Sequence, residues 1–218
     1  VPARRRSHRD QRRRALGQNF ISPAAADQFV EQAHFQAGEL VVEIGAGLGT
    51  ITAALAERDV RVVALELDPT WAAELRKKFG KTPDVRILAR DFFQFNLPTE
   101  PFRFTGSLPF GRTTDILRRL LDDPNVALER ADVIVQWEVA KKRAAIPPAT
   151  LLSSAWAPWW EIDLKQRISA RQFRPVPRTD AGILSIAKRE PPLLPPAMAN
   201  AYAQFVRQKW PFETSDKK

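Results

Sequence analysis

Apolar residues along this chain follow two alternating rhythms. Stretches such as "ELVVEI", "VRVVALEL", "VRILA", "FRFTG" and "ADVIVQ" are nearly unbroken apolar runs rich in β-branched residues. In "PAAADQFVEQAHF", "TITAALAER", "WAAELRKKFG" and "TTDILRRLL" the apolar positions instead recur every three or four residues. The first rhythm predicts strands buried on both faces, and the second predicts helices with one apolar side. Ser22 stands where an N-cap belongs and Pro23 at the first helical position, so a leading helix is expected over residues 23–35. Residues 39–69 then read strand, glycine turn, amphipathic helix, strand, a βαβ unit whose crossover should be right-handed. Continued alternation predicts an α/β fold, a mostly parallel sheet with helices on both faces. Two later stretches, "WEIDLKQRIS" and "AGILSIAKR", are expected to close one edge as an antiparallel pair. Beyond Glu190, "EPPLLPP" breaks regular structure and "AMANAYAQFVRQKW" offers one further helical run.

Composition narrows the chemistry. The chain has 218 residues and 44% hydrophobic content, enough for one sizeable core. The expected division is a basic arm over residues 1–14, a catalytic domain over 15–189 and a short C-terminal segment over 190–218. No apolar run reaches the roughly 18 residues a membrane span needs, so a soluble, cytoplasmic protein is expected. Cysteine is absent, which removes disulfides, thiolate ligands and cysteine nucleophiles. His8 and His34 are the only imidazoles and stand in no metal-ligand or triad spacing, so neither a metal site nor Ser-His-Asp hydrolysis is expected. Net charge is +9, and residues 4–14 carry seven arginines against one aspartate. Arg4, Arg5, Arg6, Arg12, Arg13 and Arg14 therefore suit phosphates, whose neutralisation releases counterions; a merely solubilising tail is the competing reading.

The glycine turn marks a ligand. Glu43, Gly45, Gly47 and Gly49 lie where a strand becomes a helix, and the third glycine comes one residue too early for a dinucleotide fingerprint. The E-x-G-x-G-x-G spacing suits S-adenosyl-L-methionine, which has no pyrophosphate to seat on the helix. Glu66, with Leu67 beside it, ends the second strand and can accept from both ribose hydroxyls. Asp91 follows the third strand and can accept from the adenine amino group, with Phe92 against the ring. On the same sheet edge the fourth strand ends in Ser107, Leu108, Pro109 and Phe110. An exocyclic adenine nitrogen is a poor nucleophile, and a stiff turn of hydrogen-bond acceptors beside an aromatic ring can hold it as it becomes tetrahedral.

The segments "LGQNF", "EIGAGLG", "ALELDP", "RDFF", "SLPF", "TTDILRRLL", "QWEVAKKR" and "FRPVPRTDAGIL" occur in the order of the rRNA adenine-N6 methyltransferases. "QWEVAKKR" and "WAPWWE" most resemble the erythromycin-resistance (Erm) branch, which modifies an adenine of large-subunit, 23S rRNA. The resemblance implies a Rossmann-like S-adenosylmethionine-dependent methyltransferase, with direct transfer that needs no metal and no covalent intermediate. It implies that Gln18, Asn19 and Phe20 close over the methyl donor, that Ser107 to Phe110 form the catalytic turn, and that Phe173 is a second aromatic face for the extruded base. It further implies macrolide-lincosamide-streptogramin resistance and a monomer acting on 23S rRNA before full assembly. Two departures stand out: the family usually has asparagine where this chain has Ser107, and its helical C-terminal domain has only about thirty residues of counterpart here. RNA grip is then expected from the arginine arm and from Arg112, Arg118, Lys141, Lys142 and Arg143. A small-subunit rRNA dimethyltransferase and a non-catalytic rRNA-binding factor on the same fold remain the alternative readings.

Overall fold

A computed structural model describes residues 19–210; Gln18, the arginine-rich arm and residues 211–218 lie outside the described residues. The elements in the first half are β1 (Phe20–Ile21), α1 (Pro23–Ala33), β2 (Leu40–Ile44), α2 (Thr50–Ala56), β3 (Arg61–Glu66), α3 (Pro69–Phe79), β4 (Val85–Ala89) and β5 (Phe102–Ser107). The second half holds α4 (Thr113–Leu121), β6 (Leu128–Gln136), α5 (Trp137–Arg143), α6 (Leu151–Trp156), β7 (Trp160–Ile168), β8 (Phe173–Arg174), β9 (Ala181–Lys188) and α7 (Ala199–Lys209).

The nearly unbroken apolar runs form five adjacent strands of a seven-stranded sheet in the order β4-β3-β2-β5-β6-β9-β7, with β4 at one edge. The first five of these are parallel, as expected for strands buried on both sides, and β9 pairs antiparallel with both β6 and β7. One face is covered by α1, α2 and α3, which bury Phe29, Val30, Leu55, Leu75 and Phe79 against Val41, Val62 and Ile134. The other is covered by α4 and α5, whose Leu117, Leu120 and Ala140 meet Phe104, Val133 and Leu184. Ser22 caps α1 by accepting from the Ala25 N–H, and the helix stops at Ala33, two residues short of the expected end, because His34 adopts a left-handed φ of 51°.

Three elements are not apparent from periodicity. β1 and β8 pair antiparallel as a separate two-stranded sheet, too short to show any alternation. α6 is one and a half turns long and carries the first tryptophan of "WAPWWE". Those tryptophans serve the core: their indole N–H groups donate to the Asp122 carboxylate (2.8 Å), the Leu194 carbonyl (2.9 Å) and the Leu121 carbonyl (3.0 Å). The C-terminal segment docks there as well, with Tyr202 edge-on to Trp159 at 5.8 Å and Leu194 packed on the same cluster.

Candidate active site

The chain leaves β2 toward β3 and β4 and later returns on the opposite side as β5, so a crevice opens at the C-terminal ends of these strands. Ile44 pairs with Leu65 on one side and Gly106 on the other. Gly106 has φ 144°, and a Cβ there would stand 2.5 Å from the Ile44 carbonyl oxygen, so only glycine lets β5 come this close to β2. The glycine turn is strung across the end of β3. Gly45 and Ala46 donate to the Leu65 carbonyl (2.9 and 3.2 Å), and Gly47 donates to Glu66 Oε2 (2.7 Å). Between this turn and Ser107 lies a cavity of about 170 Å³.

Two carboxylates support the turn from below. Glu66 is buried and accepts one N–H on each oxygen, from Gly47 and from Asp68 (2.9 Å), so each oxygen keeps a second acceptor site. Burial raises its pKa above 4.5 despite those two bonds. Glu43 is 1% exposed in the middle of the sheet and accepts from the Thr52 hydroxyl at 2.6 Å. Burial first, and then the Glu66 charge, push its pKa up to about 7 against the relief given by Thr52.

Most of the residues anticipated from sequence converge on this cavity. Asn19, Phe20, Glu43, Gly45, Gly47, Glu66, Leu67, Asp91 and Phe92 line it together with Ser107, Leu108, Pro109, Phe110 and Phe173. Gly49 does not: a Cβ there would meet Leu75 and Phe79 at 2.7 and 2.6 Å, so this glycine lets α3 pack against the turn. Phe92 offers the cavity little of its ring, being 3% exposed and packed 5.3 Å from Phe104. Phe173 is likewise 2% exposed, and Leu108 is buried with its N–H on the Ile134 carbonyl at 2.9 Å. Asp91 Oδ1 caps the turn at Phe93 (2.9 Å), which leaves Oδ2 for another donor.

Leu48, within the expected Glu43–Gly49 turn, lines the cavity, and so do Arg90 and Phe93, which the sequence did not single out. Leu48 and Leu67 are 43% and 54% exposed, apolar side chains flanking its mouth. Arg112 reaches the rim and stacks 4.4 Å from the Phe93 ring while pairing with Asp115 at 3.2 Å. The other basic candidates sit farther out. Arg118 pairs with Asp122 and Lys141 with Glu138, both as helix-surface neighbours, and Lys142 is exposed on α5. Arg143 departs from the expectation of a free cation: it donates to Thr150 and Thr114 hydroxyls and lies 5.6 Å from the Trp156 ring, so its charge holds α5, α6 and α4 together.

The residues present fit an adenosyl group. Glu66 has spare acceptor sites for two hydroxyls, Asp91 has one for an amine, and Leu48 and Leu67 supply apolar flanks. A Cβ at Gly45 would stand in the space between the two turns, 3.9 Å from the Ser107 carbonyl oxygen. The sheet order and the cavity at its edge define the chain as a Rossmann-like α/β protein of the S-adenosylmethionine-dependent methyltransferase class. Residues 9–211 match the ribosomal RNA adenine dimethylase family, and the chain belongs to that family. It is 37% identical over 203 residues to an rRNA methyltransferase of Streptomyces thermotolerans, covering 92% of this chain and 67% of that protein. It is 36% identical over 197 residues to the mycinamicin-resistance protein MyrB of Micromonospora griseorubida, covering 90% of this chain and 62% of that one. The crystal structure of the 23S rRNA methyltransferase ErmE superposes with a TM-score of 0.79 at 31% identity, over 87% of this chain and 78% of that chain. The chain thus spans 67% and 62% of the length of the two relatives.

Proposed function

We propose that this protein transfers a methyl group from S-adenosylmethionine to N6 of an adenine in 23S rRNA, and that it thereby confers resistance to macrolide, lincosamide and streptogramin antibiotics. The observation that carries the reading is the position of Ser107–Phe110: the acceptor turn and the glycine turn line one cavity, on adjacent parallel strands. The names of the relatives support the RNA substrate and the resistance role, MyrB and ErmE in particular.

When bound, S-adenosylmethionine supplies an electrophilic methyl group. Glu66 and Asp91 hold and orient the adenosyl portion. The catalytic turn is rigid before any substrate arrives, because the Leu108 N–H is tied to Ile134 and the Pro109 carbonyl accepts from the Arg112 N–H (2.9 Å) and the Thr113 hydroxyl (3.1 Å). The Pro109 carbonyl is thereby committed. Among the described residues, neither the Ser107 hydroxyl nor the Leu108 carbonyl accepts a hydrogen bond, which leaves these two groups to receive the two amine hydrogens of an adenine. Holding both hydrogens draws the nitrogen out of conjugation and frees its lone pair for attack. Phe110 and the small exposed part of Phe173 line the cavity, and an extruded base is taken to enter beside them. Arg112 at the rim is placed for a phosphate of the displaced strand.

The test is transfer of labelled methyl from S-adenosylmethionine to protein-free large-subunit and small-subunit rRNA separately, with the modified nucleoside identified by mass. N6-methylated adenine in the large-subunit RNA is the expected product. Label in the small-subunit RNA instead would make the protein a small-subunit dimethyltransferase. Cofactor binding without label on either RNA would mark it as a non-catalytic RNA-binding factor.

A further inference from the structure

The cofactor turn and the target-side aromatic are joined by the small β1–β8 sheet. On one strand, Phe20 lies on the glycine turn: a Cβ on Gly47 would be 2.8 Å from its ring, and Trp71 meets that ring edge-on at 5.6 Å. On the other strand, Ile21 pairs with Phe173 and Phe20 pairs with Arg174. A two-residue strand pair is marginal by itself, so whatever fastens it sets where Phe173 stands. Ser22 provides the fastening. Its N–H donates to the Gln172 carbonyl at 2.7 Å, and its hydroxyl donates to Gln172 Oε1 at 2.6 Å. The same hydroxyl oxygen accepts the Ala25 N–H at 3.4 Å, so the fastening is rooted in the first turn of α1.

We propose that Ser22 and Gln172 form a clasp that couples occupancy of the cofactor turn to the placement of Phe173, making cofactor and RNA binding mutually reinforcing. The proposal rests on the function given above, since it takes Phe20 as facing the methyl donor and Phe173 as facing the target base. A ligand that fixes Phe20 against Gly47 fixes β1, and through the clasp it fixes β8 and Phe173. Linkage makes the effect reciprocal, so RNA must tighten cofactor binding by the same factor. Ser22 and Gln172 are positioning residues, and neither lines the cavity between the two turns.

The test uses the full chain, S-adenosylhomocysteine and protein-free large-subunit rRNA. RNA affinity is measured with and without saturating S-adenosylhomocysteine, and S-adenosylhomocysteine affinity is measured alone. Ser22→Pro removes both the N–H and the hydroxyl, while the Ser22 φ of −68° and ψ of 151° already suit a proline followed by Pro23. Gln172→Ala removes only the exposed amide and serves if the proline variant folds poorly. Ser22→Thr restores the hydroxyl and is the rescue. In the wild type, S-adenosylhomocysteine should tighten RNA binding about tenfold, within the usual range of coupling between sites. Ser22→Pro should bring that factor to within about twofold of one, Gln172→Ala, which keeps the backbone bond, should lower it part of the way, both should leave affinity for S-adenosylhomocysteine alone unchanged, and threonine at position 22 should keep the wild-type factor. A wild type that binds both ligands independently, or an unaltered factor in both variants, overturns the clasp and leaves the proposed function standing. Failure of the wild type to bind either ligand overturns the proposed function itself, and the clasp with it.

Discussion

Replacing Glu43 by glutamine should change how stability depends on pH, and its burial supplies the size of the effect. The side chain is 1% exposed, accepts a hydrogen bond from Thr52 and faces the added repulsion of Glu66. Its pKa is pushed from 4.5 to about 7. Between these values the unfolded chain has lost the proton and the folded chain retains it. The folded state therefore binds more protons, and stability must fall as pH rises through this window. The gap corresponds to about 3 kcal/mol, present in full below the unfolded pKa and lost once pH passes the folded one. Glutamine has a similar shape, can still accept from Thr52, and does not titrate. Urea unfolding of the ligand-free protein, followed by tryptophan fluorescence from about pH 4.5 to pH 8, should show the Glu43→Gln variant gaining about 3 kcal/mol on the wild type across that range. Titrating groups that do not interact with Glu43 cancel in the difference, and the coupled Glu66 is the one group whose titration changes with it. Parallel stability curves would refute the reasoning, because they would mean that Glu43 ionises in the folded protein much as it does in water.

Three further outcomes are expected. Gly106→Ala should lower the unfolding free energy from urea titration by at least about 2 kcal/mol, since its Cβ would press on the Ile44 carbonyl at a φ that alanine resists. Ser107→Asn should raise turnover by about tenfold and shift product from monomethyl to dimethyl adenine, read by nucleoside mass, because the longer amide is a better-placed acceptor than the hydroxyl. Affinity for S-adenosylhomocysteine, measured by calorimetry, should weaken on acidification beginning above the ordinary carboxylate range, since burial raises the Glu66 pKa and only its ionised form accepts from two hydroxyls. Glu66→Gln should weaken binding by about 10- to 100-fold and abolish that pH dependence.

Features that depend on near neighbours in the chain are written in local pattern. A run such as Leu40–Ile44, apolar at every position but Glu43, can satisfy its backbone and bury its side chains only as an interior strand, so the order of strands and helices was legible from pattern. The E-x-G-x-G-x-G turn, Glu66, Asp91 and Ser107–Phe110 each sit at a strand end, which is enough to bring them to one edge of a parallel sheet. Tertiary structure decided which partner each residue meets. Gly47 and Gly49 look alike in the turn, but one accommodates the Phe20 ring and the other accommodates Leu75 and Phe79. Arg103 shows the same dependence: it is buried against Asp132 at 2.8 Å and Glu39 at 3.1 Å, residues far from it in sequence, and nothing local distinguishes it from a surface arginine. Arg143 is held internally while Lys142, its neighbour, is exposed. The joining of Phe20 and Phe173 through β1 and β8 arises between two-residue strands with no periodicity to read. Periodicity reports which side of an element is apolar; packing alone determines the contacts made across long sequence separations, and in this chain those contacts link the glycine turn, through Phe20 and the β1–β8 pair, to Phe173.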